Sequence, residues 1–285
     1  AQGLPVATKE AEVSGAAATV NFPDLTPGGI LEIVPTSLAA LGDTERILFA
    51  TAPTLRNGVL PPNVFARDAS DKICLLTYDA EKGVVPYAGE IPELVVGAAN
   101  ALAKLTADMT VSAATSVGTL VVENDAKLSV ADDVTLTVGN DGQPAGFVVN
   151  STTGASFLPN GEKGTVDFGS SHGVFLHNNS AGSGSRFSLT KAKIAGQAGL
   201  TVAAARSGKV TDAAVSVTFQ LSTSQWAGST VLAGIRGGFN GNDNTPFPLP
   251  SKSDVWTLGV DAWDSSTPAS WLSYRSFTID QDLHL

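Results

Sequence analysis

Short runs of alternating residues, each centred on an apolar side chain, recur through the middle of the chain. The first four are centred on Val111, Leu120, Leu128 and Leu136, so a new centre follows at every eighth or ninth position. Gly, Asn, Asp or Ser fills nearly every gap, as expected of strands joined by tight turns. Similar runs with longer turns follow at 147–149, 156–158, 166–168, 174–176, 186–189 and 200–202. This rhythm predicts an all-β structure over 107–206.

The repeat length favours one all-β architecture. Three strands fit between Val111 and Leu136, which is the length of one coil of a three-sided solenoid. Coils stacked at the strand separation of roughly 4.8 Å would share a core that no single coil could form alone. A β-sandwich, which has strands at similar spacing, is the alternative. We therefore predict regular coils of a right-handed parallel β-helix, or β-solenoid, over 107–206, with irregular terminal caps.

Residues 1–106 have a less regular pattern and predict irregular β-coils or a cap. Their strand-like runs lie at 18–22, 29–34, 46–50, 75–78 and 84–87. The turn residues between the last two runs predict a strand pair. Over 91–106 two interpretations stay open: a short amphipathic helix, from apolar residues at helical spacing, or another coil of strands.

Residues 207–285 break the rhythm and contain all four tryptophans. We expect these rings, together with one nearby tyrosine, to cover the end of the last coil or to meet another subunit. Stacking on sugar rings is the alternative. The candidate contact residues are Trp226, Trp256, Trp263, Trp271 and Tyr274.

Composition narrows the function classes. The 285 residues include 17 basic and 27 acidic residues, for a net charge of −10. Without a cluster of Lys and Arg to neutralise phosphates, nucleic acid is not an expected partner. No apolar run approaches the roughly 18 residues of a membrane-spanning helix. Cys74 is the only cysteine, and its apolar surroundings predict a buried, unreactive thiol.

Several segments resemble autotransporter-associated β-strand repeat proteins, which are passenger-type surface proteins. The similar segments are Asn57-Gly-Val-Leu-Pro-Pro62, Leu75-Leu-Thr-Tyr-Asp79, Gly83-Val-Val-Pro-Tyr87, and the strands that follow at 105–111 and 118–122. The resemblance covers roughly residues 15–205, and the Trp-rich part departs from it. It implies a β-helix exported from the cell and displayed on its surface or released. It brings no catalytic motif.

The residues that could carry chemistry are better explained as structural. Asp132 and Asp133 precede a strand where a turn is expected, and neighbouring strand residues point to opposite faces. Asp167 lies within a strand, between Val166 and Phe168, and is expected to face solvent. The separation of His172 and His177 puts them on opposite faces of a strand, which argues against a shared metal.

Metal and enzymatic functions are therefore not the first expectation. The oxygen-rich run 240–244 is the candidate for calcium, but its spacing matches no known calcium loop. We expect no catalytic, cofactor or metal site.

Two functions stay open from the sequence. The first is an extracellular structural or adhesive β-helix that associates with copies of itself or with neighbouring coils of a longer passenger. It could form a fibre or layer and contact surface glycans. The second is a polysaccharide-active enzyme or a carbohydrate-binding module on the same scaffold. The small residue at Ala1 fits an exported mature chain, although an excised fragment would look the same.

Overall fold

The computed structural model describes residues 18–25, 31–70, 72–139, 141–150, 164–170, 174–178, 186–189, 193–203, 216–219, 230–233, 247–248, 255–259, 277–278 and 282–284. Over these residues the regular structure consists of β-strands without a helix, and most strand pairs are parallel. The predicted all-β class is therefore confirmed. The contacts divide the chain into two compact units, Ala1–Ile91 and Pro92–Leu285, whereas the sequence suggested a boundary at 106.

The described residues of the first unit include six strands, which belong to two sheets. They are β1 (Ala18–Phe22), β2 (Leu31–Ile33), β3 (Glu45–Phe49), β4 (Val64–Arg67), β5 (Ile73–Asp79) and β6 (Gly83–Pro86). Parallel pairs join β1 to β3 and β2 to β4. Antiparallel pairs then join β4 to β5 and β5 to β6. The unit therefore begins with parallel pairs and ends in an antiparallel hairpin.

The β5–β6 hairpin confirms the strand pair predicted from turn chemistry. Asp79 pairs with Gly83 at its end. The Asp79 carboxylate accepts hydrogen bonds from the backbone N–H groups of Glu81 (2.8 Å) and Lys82 (2.9 Å). An aspartate that binds backbone N–H groups two and three residues ahead stabilises a tight turn. Local chemistry thus determines where this hairpin reverses.

The second unit contains the remaining strands. They are β7 (Ala99–Leu105), β8 (Met109–Val111), β9 (Thr115–Glu123), β10 (Leu128–Val130), β11 (Thr135–Val138), β12 (Ala145–Asn150), β13 (Thr165–Asp167), β14 (Val174–Asn178), β15 (Arg186–Leu189), β16 (Lys193–Ala195), β17 (Leu200–Ala203), β18 (Ser216–Phe219), β19 (Thr230–Ala233), β20 (Phe247–Pro248), β21 (Val255–Gly259), β22 (Phe277–Thr278) and β23 (Asp282–His284). Within 91–106 the structure has the strand β7 and no helix, so the strand interpretation is confirmed and the helix interpretation is wrong.

All strand pairs described in the second unit are parallel. The largest sheet contains two rows of strands that meet at β9. One row runs β9-β12-β14-β17-β19-β21-β23, and the other runs β9-β11-β13-β16. Smaller sheets pair β8 with β10, β15 with β18, and β20 with β22. Because β9 pairs with β7 along one edge, β11 and β12 lie end to end along its other edge.

The register differs from the predicted repeat in the first turns. Val111 pairs with Val130 rather than with Leu136. From β12 onward, paired residues lie farther apart along the chain, as Leu200 and Thr230 do. In the first turns the paired residues are closer along the chain because β9, which lies between β8 and β10, is one uninterrupted strand. Its partners β11 and β12 are instead separated by a turn.

The core of the second unit lies where the apolar rhythm predicted it. Val111, Leu120, Leu128 and Leu136 are all fully buried. Every residue of β12 is buried as well, so both faces of that strand are covered. Burial on both faces is characteristic of parallel sheets.

Candidate functional site

The predicted aromatic contact residues fall mostly outside the described residues. Trp226, Trp263, Trp271 and Tyr274 lie there. Trp256 belongs to β21, where its backbone pairs with Thr230 of β19 and Leu283 of β23. The grouping of these five residues into one contact surface therefore stays a prediction.

The carboxylates considered for catalysis occupy structural positions. Asp132 and Asp133 form the predicted turn, and Asp133 has a φ of 60°. Asp167 lies in β13 and accepts a hydrogen bond from the Gly169 N–H at 2.7 Å. Asp132 and Asp133 thus belong to a turn, and Asp167 is the last residue of a strand.

The remaining candidates for metal binding are only partly described. His177 lies in β14, while His172 and residues 240–244 are outside the described residues. Within the described ranges, no group of three or more His, Cys, Asp or Glu side chains is arranged to hold a metal ion. The same part of the chain contains no helix long and apolar enough to cross a membrane.

Cys74 lies on β5 with its side chain half-buried, rather than fully buried as predicted. Burial raises the pKa of its thiol, and the nearby Asp68 carboxylate raises it further. A raised pKa reduces the thiolate fraction, and the thiolate is the nucleophile. This position is therefore poorly suited to nucleophilic chemistry.

An apolar pocket of about 250 Å³ lies in the first unit. Residues of three strands, β1, β2 and β3, and of the segments that follow β1 and β2 line it. The register places Val20 beside Ile47 and Phe22 beside Phe49. Leu31 and Ile33 of β2 also contribute to this apolar lining. Phe22 stays 44% exposed, so the pocket opens to solvent beside an aromatic ring.

Aromatic contacts hold one side of this pocket in place. The Phe22 and Phe49 ring centroids are 5.9 Å apart, and Phe49 lies 5.7 Å from the ring of Tyr78. The Phe49 N–H donates to the Tyr78 hydroxyl oxygen at 3.0 Å, and that hydroxyl donates to the Phe49 carbonyl at 3.2 Å. These bonds fix a β3 residue to the β5 strand.

The carboxylates that reach the pocket are bound by neighbouring groups. Glu45 is buried and accepts hydrogen bonds from the Thr36 N–H, at 3.0 Å, and from the Thr36 hydroxyl. Glu32 forms a buried ion pair with Arg67 at 2.8 Å. Buried charges need such partners to offset the loss of water. The pocket therefore suits an apolar group better than acid–base chemistry.

The strands around this pocket are predictable from the sequence, but the pocket itself is not. The signal that was available is the apolar pair two positions apart in each of three short strands. Val20 and Phe22, and later Leu31 and Ile33, show it clearly. The cavity depends on how β1 and β3 approach β2, and a strand pattern does not contain that information.

Comparisons with known proteins found no match among protein-family models, curated proteins or solved structures.

Proposed function

We propose that the second unit is a right-handed parallel β-helix and that the protein is an extracellular structural or adhesive component of a bacterial cell surface. In this proposal the protein is not an enzyme. Its partners are further copies of itself or neighbouring coils of a longer passenger, with surface glycans as a second class of contact. The resemblance to autotransporter-associated repeat proteins supports export to the outside of the cell.

One observation carries the proposal. In the series β12, β14, β17, β19, β21 and β23 of the largest sheet, each strand pairs in parallel with the next, at similar spacing each time. Parallel neighbours need a crossover between them, and such crossovers are right-handed in about 98% of cases. Shorter strands inside the crossovers also pair in parallel, as β13 does with β16. A repeated coil with a strand on each side accounts for all of these pairs.

A column of buried apolar residues supports the same reading. Ala103, Leu120 and Phe147 are register partners on β7, β9 and β12, and all three are fully buried. The register continues through Leu176, Val202, Leu232 and Leu258. Stacked repeats are stabilised by such contacts between neighbours rather than by any one repeat.

The function follows from the length and the ends of this stack. The regular strands would act as a spacer, and the first unit and residues 207–285 would make the contacts. Association through terminal strands would extend the sheets from one molecule to the next. A fibre or a surface layer is the assembly that such contacts would produce.

Electron microscopy and sedimentation of the purified chain test this proposal. We expect elongated particles or end-to-end assemblies. Polysaccharide depolymerisation, assayed with and without calcium over a panel of plant and microbial glycans, tests the enzyme alternative. Sustained turnover that depends on a carboxylate of the chain would contradict the structural role, as would compact particles that show no association and no binding to cells or glycans.

A further inference from the structure

The outer edge of β7 is covered by the chain that precedes it. We define residues 92–98 as the capping segment. The Leu94 N–H donates to the Lys104 carbonyl at 2.9 Å, and the Lys104 N–H donates to the Pro92 carbonyl at 2.8 Å. Glu93 and Lys104 thereby form a parallel bridge. Since β9 pairs with β7 on the other side, both edges of the strand have partners at this position.

A side chain extends this cover along the strand. The Asn100 carboxamide exchanges two hydrogen bonds with Val95: its Oδ1 accepts from the Val95 N–H, and its Nδ2 donates to the Val95 carbonyl, both at 3.0 Å. The same Nδ2 lies 3.2 Å from the Ser116 carbonyl of β9. The Asn100 carboxamide thus forms hydrogen bonds with the N–H and the carbonyl of Val95, as the backbone of a paired strand would.

The capping segment also contributes to the core. Leu94 is buried, as are Leu102 and Leu105 of β7. Farther along, the Gly97 N–H donates to the hydroxyl of the buried Thr115 at 2.9 Å. The segment is therefore bound to β7 and to β9 by main-chain, side-chain and apolar contacts.

Charged groups lie on the solvent side of the same edge. Glu93 accepts a hydrogen bond from the Thr106 hydroxyl at 3.1 Å and lies 3.7 Å from the Lys104 ammonium group. An uncovered edge strand is a template for pairing with another chain, and proteins protect such edges with short covering segments and charges. The capping segment combines both means of protection.

We propose that residues 92–98 are a built-in cap that prevents β7 from pairing with another molecule. The cap itself depends only on the contacts of β7 and β9. Its consequence for assembly rests on the proposed function: association would take place through other strands of the protein and not through the edge of β7.

Opening the cap tests this inference in the full chain. The double variant Leu94→Asp/Asn100→Ala removes the buried anchor and the amide that binds Val95. The control is Val95→Ser, because the Val95 side chain is 56% exposed and its hydrogen bonds are made by its backbone. We expect the sedimentation coefficient of the double variant to rise with concentration well beyond that of the wild type, and that of the control to follow the wild type.

Two further measurements keep the test decisive if the double variant is unstable. Asn100→Asp keeps the acceptor for Val95 but loses the donor, so it should associate to an intermediate extent. Hydrogen exchange should show faster exchange of the Leu94 and Lys104 amides in each opened variant, with the β12 amides unchanged. A folded double variant that sediments like the wild type would overturn the cap, and so would a control that associates equally.

The outcome is separable from that of the proposed function. If the wild type does not assemble but the opened variant does, the cap stands and the assembly function fails. If the wild type assembles, a Val95→Cys thiol in a Cys74→Ser background should react with maleimide equally before and after assembly. Loss of that reactivity on assembly would show that this end is used and would contradict the cap.

Discussion

Replacement of Gly169 by alanine should destabilise the second unit through a single close approach between neighbouring strand ends. Gly169 follows β13, and Gly139 follows β11, the strand that pairs with β13. A Cβ added at Gly169 would lie only 1.9 Å from the Gly139 carbonyl oxygen. That neighbour is backbone and cannot move away as a flexible side chain would.

Two costs add at this position. Gly169 has a φ of +57°, and a left-handed conformation costs an L-residue roughly 1–2 kcal/mol. The shift needed to relieve the contact costs about 1–3 kcal/mol more, by analogy with overpacked sites. Alanine also restricts the unfolded chain, which offsets about 0.4–1 kcal/mol. We expect a net loss of about 2–4 kcal/mol for Gly169→Ala.

Gly142 provides a matched control. Its φ is +76°, so alanine meets the same backbone penalty, but nothing lies within 4 Å of the added Cβ. Gly142→Ala should therefore cost about 1 kcal/mol or less. Urea unfolding followed by circular dichroism gives both values from the shift in midpoint at constant m. Equal losses for the two variants would refute the close stacking of Gly169 on Gly139.

Three further predictions concern the core, the hairpin turn and the thiol. Phe147→Ala should lower the free energy of unfolding in urea by about 3–5 kcal/mol. Ser129→Ala, at a half-buried position of β10, should change it by no more than about 0.5 kcal/mol, and comparable losses would contradict the core assignment. Hydrogen bonds from the Lys82 and Glu81 N–H groups lower the pKa of Asp79 below 3.8. The contribution of Asp79 to folding stability is therefore present above that pH and is lost as the pH falls through the pKa of the folded state. Asp79→Asn should therefore unfold at a lower temperature than wild type at pH 7, and the difference in melting temperature should vanish in strong acid; a constant difference would contradict it. Cys74 should react with iodoacetamide more slowly in the native protein than in urea, because burial raises its pKa; equal rates would contradict the half-buried position.

The strands of this protein could be predicted from the local sequence pattern, because each one shows alternating residues with turn residues on either side. The runs centred on Val111, Leu120, Leu128 and Leu136 are strands with buried centres. The β5–β6 hairpin was likewise predictable, since Asp79 and the glycine at 83 specify the turn between them.

The register could not be predicted in the same way. A regular spacing of apolar centres says how often strands occur but not which two of them pair. Val111 pairs with Val130 because β9 continues through Gly118 without a turn, and the rhythm would fit equally well with a turn there. Residues 91–106 were ambiguous because small and apolar residues at mixed spacing suit a helix face or a strand.

The pocket of the first unit and the cap on β7 were also beyond local pattern. The pocket depends on contacts between separate segments, as in the pairing of Phe22 with Phe49. The cap depends on hydrogen bonds between residues 92–98 and β7 that no alternation of polar and apolar residues predicts. Asn100 in the sequence is a polar residue among alanines, and only its distance to Val95 reveals its role.

The central claim is that strands of the second unit stack in parallel, one coil on the next. Four half-buried strand positions test it: β11 contributes Thr135 and Thr137, and β13 contributes Thr165 and Asp167. In a Cys74→Ser background, paired cysteines are introduced and oxidised, and disulfides are scored by mass spectrometry. The parallel register pairs 135 with 165 and 137 with 167, so both of these variants should cross-link readily, because neighbouring strands bring Cα atoms within disulfide range. The crossed pairs, 135 with 167 and 137 with 165, should cross-link slowly, and faster reaction of the crossed pairs would show antiparallel strands and contradict the β-helix.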